Sequence, residues 1–126
     1  MEIPLTSMEQ LLPFPTAAEL VAKKHEPLVS VPPATTVLAA MQLMAEKHLG
    51  FLAVMQNGRL AGVLSERDCA RRVVLGKLAA DKTTVRDIMT TQVHTVTPDS
   101  KIPACVMLMH EKNIRHLPVM RANEVI

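Results

Sequence analysis

Residues 31–55 read VPPATTVLAAMQLMAEKHLGFLAVM, and residues 96–120 read VTPDSKIPACVMLMHEKNIRHLPVM. Set at an offset of 65, the two stretches align without a gap. Val31/Val96, Pro33/Pro98, Ala39/Ala104, Leu43/Leu108 and Met44/Met109 are identical pairs. Glu46/Glu111, Lys47/Lys112, Leu52/Leu117, Val54/Val119 and Met55/Met120 continue in the same register. Ten identities over so short a span are hard to obtain by chance. Self-similarity at a fixed offset marks a duplicated supersecondary unit.

Working outward, each copy opens on a short extended segment, LVSV (28–31) and VHTV (93–96). Prolines stop both, Pro32-Pro33 in the first and Pro98 in the second. An amphipathic helix follows, with Val37, Leu38, Met41 and Met44 as the apolar stripe of copy one. Ile102, Val106, Leu108 and Met109 give the stripe of copy two, and the methionines Met41, Met44, Met107 and Met109 are expected in the core. Gly50 is expected to close the first helix in the left-handed conformation. FLAVM (51–55) reads as a buried strand, Asn57-Gly58 as a type I′ turn, and RLAGVL (59–64) as the paired strand. Ser65 then opens a second helix through ERDCARRVVL to Gly76. The order is β-α-β-β-α.

Around the repeats lie two further segments. Thr16-x-x-Glu19 caps a short helix running to Lys24, after a lead containing Pro4, Pro13 and Pro15. A linker beginning KLAADKTT leads to Thr84-x-x-Asp87, which starts a short helix VRDIM. The divisions are thus 1–26 for the lead, 27–79 for the first motif, 80–91 for the linker and 92–126 for the second motif. Aligned on copy one, Ile126 falls where Ala61 stands, so the second copy's return strand and closing helix are expected to be missing.

Composition excludes several classes. Almost half of the 126 residues are hydrophobic, yet Phe14 and Phe51 are the only aromatics. A net charge of +2 with interspersed signs is no footprint for nucleic acid, and aromatic platforms for stacked bases are lacking. Two cysteines, Cys69 and Cys105, make no disulfide framework and read as free thiols. With no signal-peptide pattern and no apolar run of about 20 residues, a cytoplasmic, soluble protein without membrane contact is expected.

GVLSERD (62–68) contains Ser65-x-x-Asp68, which is a capping box with Asp in place of Glu. Cys69 follows it near a helix N-terminus, a setting that lowers a thiol pKa, but no partner base accompanies it. Cys105 and His110, five apart, do not share a helix face, and no His or Cys spacing suggests a metal. No phosphate loop or dinucleotide fingerprint is present.

Taken together, the repeat, GVLSERD, TVRDIMT (84–90) and NIRHLPV (113–119) resemble the CBS domain pair, or Bateman module, most closely its small stand-alone bacterial type. The resemblance covers roughly residues 25–126. It implies an α/β fold of tandem β-α-β-β-α motifs about a pseudo-two-fold, sheets facing and helices outside. It also implies a non-catalytic regulatory module that binds adenosine-containing ligands between its motifs, here AMP, ATP or NAD(H). A helix N-terminus suits a phosphate, and a carboxylate accepts both hydroxyls of a ribose. By the family pattern, Asp68 holds the ribose, Ser65 lies near the phosphate, and Arg115 and His116 supply basic groups to it. Val63, Val93, His94 and Ile114 complete the site, the adenine lying among aliphatic side chains with backbone hydrogen bonds near His94. A second, incomplete site would draw on Leu28, Val29, Gly50 and Phe51. There Gly50-Phe51 replaces Arg-His, and the ribose Asp would lie beyond Ile126. A homodimer is expected. The competing reading is an oligomerisation module with a vestigial cleft.

Overall fold

Pro32 and Pro33 have no N–H to give a ladder, so the first extended run is only β1 (Ser30–Val31). The computed structural model describes residues 15–23, 27–122 and 124–126. Lys24, Pro4 and Pro13 lie outside them. Contacts divide the chain into two units, one holding residues 27–93 with 124–125, the other residues 15–23 with 94–122 and 126.

In the first unit, Thr36 caps α2 (Val37–Lys47) by accepting the Ala39 N–H on its hydroxyl at 3.1 Å. Strands β2 (Phe51–Gln56) and β3 (Arg59–Ser65) follow, joined by Asn57 (φ 53°) and Gly58 (φ 76°). Two positive φ values in a two-residue loop are what a type I′ turn requires, and the Asn-Gly pair supplies them at little cost. The sheet order is β1-β2-β3: β1 runs parallel to β2 (Val31↔Val54), and β2 antiparallel to β3 (Phe51↔Ser65, Val54↔Gly62). Val31, Val37, Ala40, Met44, Leu52, Val54, Leu64, Cys69, Val73, Val85 and Ile88 form the aliphatic core.

Three expectations are corrected within this unit. The buried stripe of α2 is Val37, Ala40 and Met44, whereas Leu38 and Met41 are 41% and 38% exposed. Apolar residues occupy more than one face of this helix, and the small Ala40 lets the backbone approach the sheet on its own side. The left-handed closing residue of α2 is His48 (φ 56°), not Gly50, with the Leu49 N–H reaching the Met44 carbonyl at 2.8 Å. The helix opened by Ser65 is α3 (Glu66–Asp68) only for one turn, then widens into a π-helical segment, Cys69–Val74. There the Leu75 N–H donates five residues back, to Ala70, at 3.2 Å. Helix α4 (Val85–Ile88) starts where expected, with the Thr84 N–H donating to Asp87 Oδ2 at 3.2 Å.

The second unit repeats the first at the predicted offset. Its helix α5 (Ile102–Lys112) spans the counterparts of α2, and Asn113 (φ 53°) closes it as His48 closes α2. Val96 bridges Val119 in parallel, as Val31 bridges Val54. Cys105 is its buried helix residue, the counterpart of Ala40, while Val106 and Met107 are 53% and 56% exposed and Met109 is half-buried. The expected stripe therefore misses again by the same register. After β4 (Met120–Arg121) come β5 (Glu124–Val125), which is grouped with the first unit, and Ile126, whose N–H donates to the Val119 carbonyl at 2.8 Å. The return strand thought missing is begun.

The duplication also extends beyond the repeat read from sequence. In the first unit, the Val85 N–H donates to Thr35 and the Arg86 N–H to Pro33, and Thr36 bridges Thr84. In the second, the N–H groups of Ala17 and Ala18, in helix α1 (Ala17–Lys23), donate to Ser100 and Pro98, and Lys101 bridges Thr16. Ser100 and Pro98 are the counterparts of Thr35 and Pro33 at an offset of 65. Thus the segment from Thr16 to Glu19 serves the second motif as the segment from Thr84 to Asp87 serves the first. The short helix read within residues 1–26 thus hydrogen-bonds to the second motif.

Candidate functional site

The end of β3 sets the site. Ser65, extended at φ −115° and ψ 161°, turns the chain from strand to helix and accepts the Asp68 N–H on its hydroxyl at 3.1 Å. In return the Ser65 N–H donates to Asp68 Oδ2 at 3.0 Å, completing the capping box. The next N–H, of Glu66, donates to the Gly50 carbonyl at 3.0 Å. The carboxylate of Asp68 is held half-buried at the head of the helix.

A partner absent from the sequence reading meets it from the other side. The Thr90 hydroxyl donates to Asp68 Oδ1 at 3.4 Å. Thr90 is fixed there by its backbone, whose N–H and C=O both bond to Val63 at 2.9 Å. That close approach explains Gly62: a Cβ at this position would lie 2.7 Å from the Thr90 carbonyl oxygen and 2.9 Å from the Met89 sulfur. Both clues were in the sequence, Gly62 within GVLSERD and Thr90 closing TVRDIMT. No local spacing joins residues 22 apart.

Of the remaining residues named from sequence, Val63 is buried beside Thr90 and Val93 is half-buried in the same unit. His94, Ile114, Arg115 and His116 belong to the other unit, where His94, Arg115 and His116 are exposed and Ile114 is half-buried. For the incomplete second site, Phe51 pairs with Ser65 across the hairpin, and Gly50 spends its carbonyl on Glu66. Val29 packs on the core and Leu28 is exposed. Among the described residues no group of three His, Cys, Asp or Glu side chains is placed to hold a metal ion. No helix among them is long and apolar enough to cross a membrane.

Cys69 does not have the lowered pKa its position suggested. Burial pushes its thiol above the ordinary value of 9.0, and the Asp68 and Glu66 carboxylates beside it add to the rise. Cys105 is also pushed up, by burial first. Both thiols are free and buried. Iodoacetamide at pH 7.5 should therefore label the native protein slowly at either cysteine, and rapidly in urea. Since the folded pKa values lie above the unfolded value, their contribution to stability is present below about pH 9 and lost as pH rises through the folded values. A urea midpoint lower at pH 10 than at pH 8 checks the sign. Fast native labelling would contradict the burial.

The strand–Ser-x-x-Asp–helix corner within a duplicated β-α-β-β unit defines a class of protein, and comparison with known chains identifies it. The CBS domain family model matches residues 18–75 and 85–126, and the chain belongs to that family. It is 35% identical over 96 residues to the mitochondrial CBS domain-containing protein CBSX3 of Arabidopsis thaliana, covering 72% of this chain and 47% of that one. The chain thus spans about half the length of this relative. A crystal structure of a CBS domain matches with a TM-score of 0.83 at 38% identity, covering 88% of this chain and 87% of that one. A protein with CBS domains from Burkholderia ambifaria MC40-6 matches with a TM-score of 0.84 at 37% identity, over 88% and 84% of the two chains. CBS domains are generally regulatory modules that bind adenosine ligands, and are typically non-catalytic.

Proposed function

We propose that this chain is a non-catalytic sensor that binds an adenine nucleotide, AMP, ATP or NAD(H), with the ribose on Asp68. One observation carries the reading. The Asp68 carboxylate is held at both oxygens by the Ser65 N–H and the Thr90 hydroxyl, and each oxygen keeps a lone pair for an incoming hydroxyl. In this reading Val63 and Val93 pack against the ligand and Ser65 lies near its phosphate. The family resemblance assigns the phosphate to Arg115 and His116 and the base to the neighbourhood of His94 and Ile114.

Thermal unfolding with AMP, ATP, NAD, NADH and GMP tests the proposal. A ligand that binds only the folded state at ten times its Kd adds about 1.4 kcal/mol, enough to raise Tm by several degrees in a domain of this size. GMP serves as the control for the base. No shift with any adenine nucleotide up to millimolar concentration overturns the reading.

A second reading, an association module, rests on a separate observation. Leu38 and Met41 on α2, and Val106 and Met107 on α5, expose apolar side chains at the surfaces of their helices. Met41 and Val106 are counterparts in the repeat, so both motifs present an apolar residue at one helical position. Apolar surface of this kind favours self-association. Light scattering at low micromolar concentration is expected to show a homodimer, and Met41→Lys with Val106→Lys to weaken it. A monomer at that concentration removes the association reading and leaves the nucleotide one standing.

A further inference from the structure

We propose that Thr90 is a positioning residue that gives the Asp68 carboxylate its selectivity for a vicinal diol. The proposal rests on the nucleotide reading and extends it to a residue of the inter-motif segment. Three features converge on Thr90. Gly62 has no Cβ to keep the Thr90 backbone away. Val63 binds that backbone in both directions at 2.9 Å. The hydroxyl so fixed donates to Asp68 Oδ1 at 3.4 Å.

The chemistry follows from counting acceptors. An ionised carboxylate has about four lone-pair positions, two on each oxygen. On Asp68 one position on Oδ2 takes the Ser65 N–H, and one on Oδ1 takes the Thr90 hydroxyl. With only Ser65 holding it, the group can swing about its Cβ–Cγ bond toward whichever hydroxyl arrives. Held from both sides, it presents one free position on each oxygen in a fixed relation. Two hydroxyls on adjacent carbons satisfy both positions at once, and a single hydroxyl satisfies one. At 3.4 Å the Thr90 contact is long for a hydroxyl–carboxylate bond, so its effect lies in orientation more than in strength.

A bland account makes Thr90 a bridge residue whose backbone alone matters. Thr90→Val separates the two, because it keeps the branched shape and the backbone bonds and removes only the hydroxyl. Calorimetry with AMP and 2′-deoxy-AMP gives the readout. The unaltered protein should prefer AMP by about tenfold or more, the scale of one charge-assisted hydrogen bond. In Thr90→Val that preference should shrink to about threefold or less, through weaker AMP binding with 2′-deoxy-AMP nearly unchanged. Thr90→Ser should restore it. Thr90→Ala takes the place of the valine variant if the latter does not fold. A preference kept at its original value in the folded variant overturns the role of Thr90 and leaves the nucleotide reading intact. If AMP does not bind, the same comparison is made with ATP and 2′-deoxy-ATP, and an unaltered protein that binds none of AMP, ATP and NAD(H) overturns both.

Discussion

Asp68→Ala is expected to raise the Kd for AMP at least tenfold, and by about a hundredfold if both ribose hydroxyls bond to the carboxylate. Each charge-assisted bond contributes about 1.5–3 kcal/mol, and 1.4 kcal/mol is tenfold in affinity. The same substitution takes the charged acceptor from the part-buried Ser65 N–H, which costs about 1–3 kcal/mol of stability. Affinity is therefore compared by calorimetry at a temperature where circular dichroism shows both proteins folded. Asp68→Asn keeps an acceptor for Ser65 but loses the charge, so it should retain most of the stability and little of the affinity. Unchanged AMP affinity in both variants would remove Asp68 from the binding site.

Much of this arrangement was legible in the sequence, and particular residues show where legibility ended. The 65-residue offset carried through to the register of the strands, Val31↔Val54 and Val96↔Val119, because identity and pairing are both properties of local order. The Asn57-Gly58 turn and the Ser65–Asp68 capping box are short-range devices with few alternatives, and they formed as read. What failed needed knowledge of a distant surface. Leu38, Met41, Val106 and Met107 are apolar enough for a core, but the neighbouring strands chose the face bearing Ala40 and Cys105. Likewise, the Thr16 segment shows its kinship to the Thr84 segment only through a capping residue and an acid three positions on. The kinship emerges from hydrogen bonds to Pro98 and Ser100, about 80 residues away. The Thr90–Asp68 contact belongs with these, since nothing within either heptapeptide announces the other.

Gly62→Ala is expected to cost more stability than Gly50→Ala or Gly58→Ala. The new Cβ would stand 2.7 Å from the Thr90 carbonyl oxygen, a contact that folded proteins essentially never show. A flexible side-chain tip would yield, but this neighbour is backbone, tied to Val63 by two hydrogen bonds of 2.9 Å. Relief requires either breaking that bridge or shifting β3 against the buried Leu64, and overpacking of this kind costs typically 1–3 kcal/mol. Gly50→Ala is the internal control for added volume, since its Cβ would meet Glu66 at an ordinary 3.7 Å. Gly58→Ala meets nothing within 4 Å and bears only the cost of a positive φ, about 1 kcal/mol. Urea unfolding should rank the three with Gly62→Ala least stable, Gly58→Ala next and Gly50→Ala near the unaltered protein. Displacing the Thr90 backbone also carries its hydroxyl from Asp68, so the folded fraction of Gly62→Ala should discriminate poorly between AMP and 2′-deoxy-AMP. A Gly62→Ala protein within about 0.5 kcal/mol of the original would mean that the segment bearing Met89 and Thr90 gives way freely, and so does not hold the carboxylate in place.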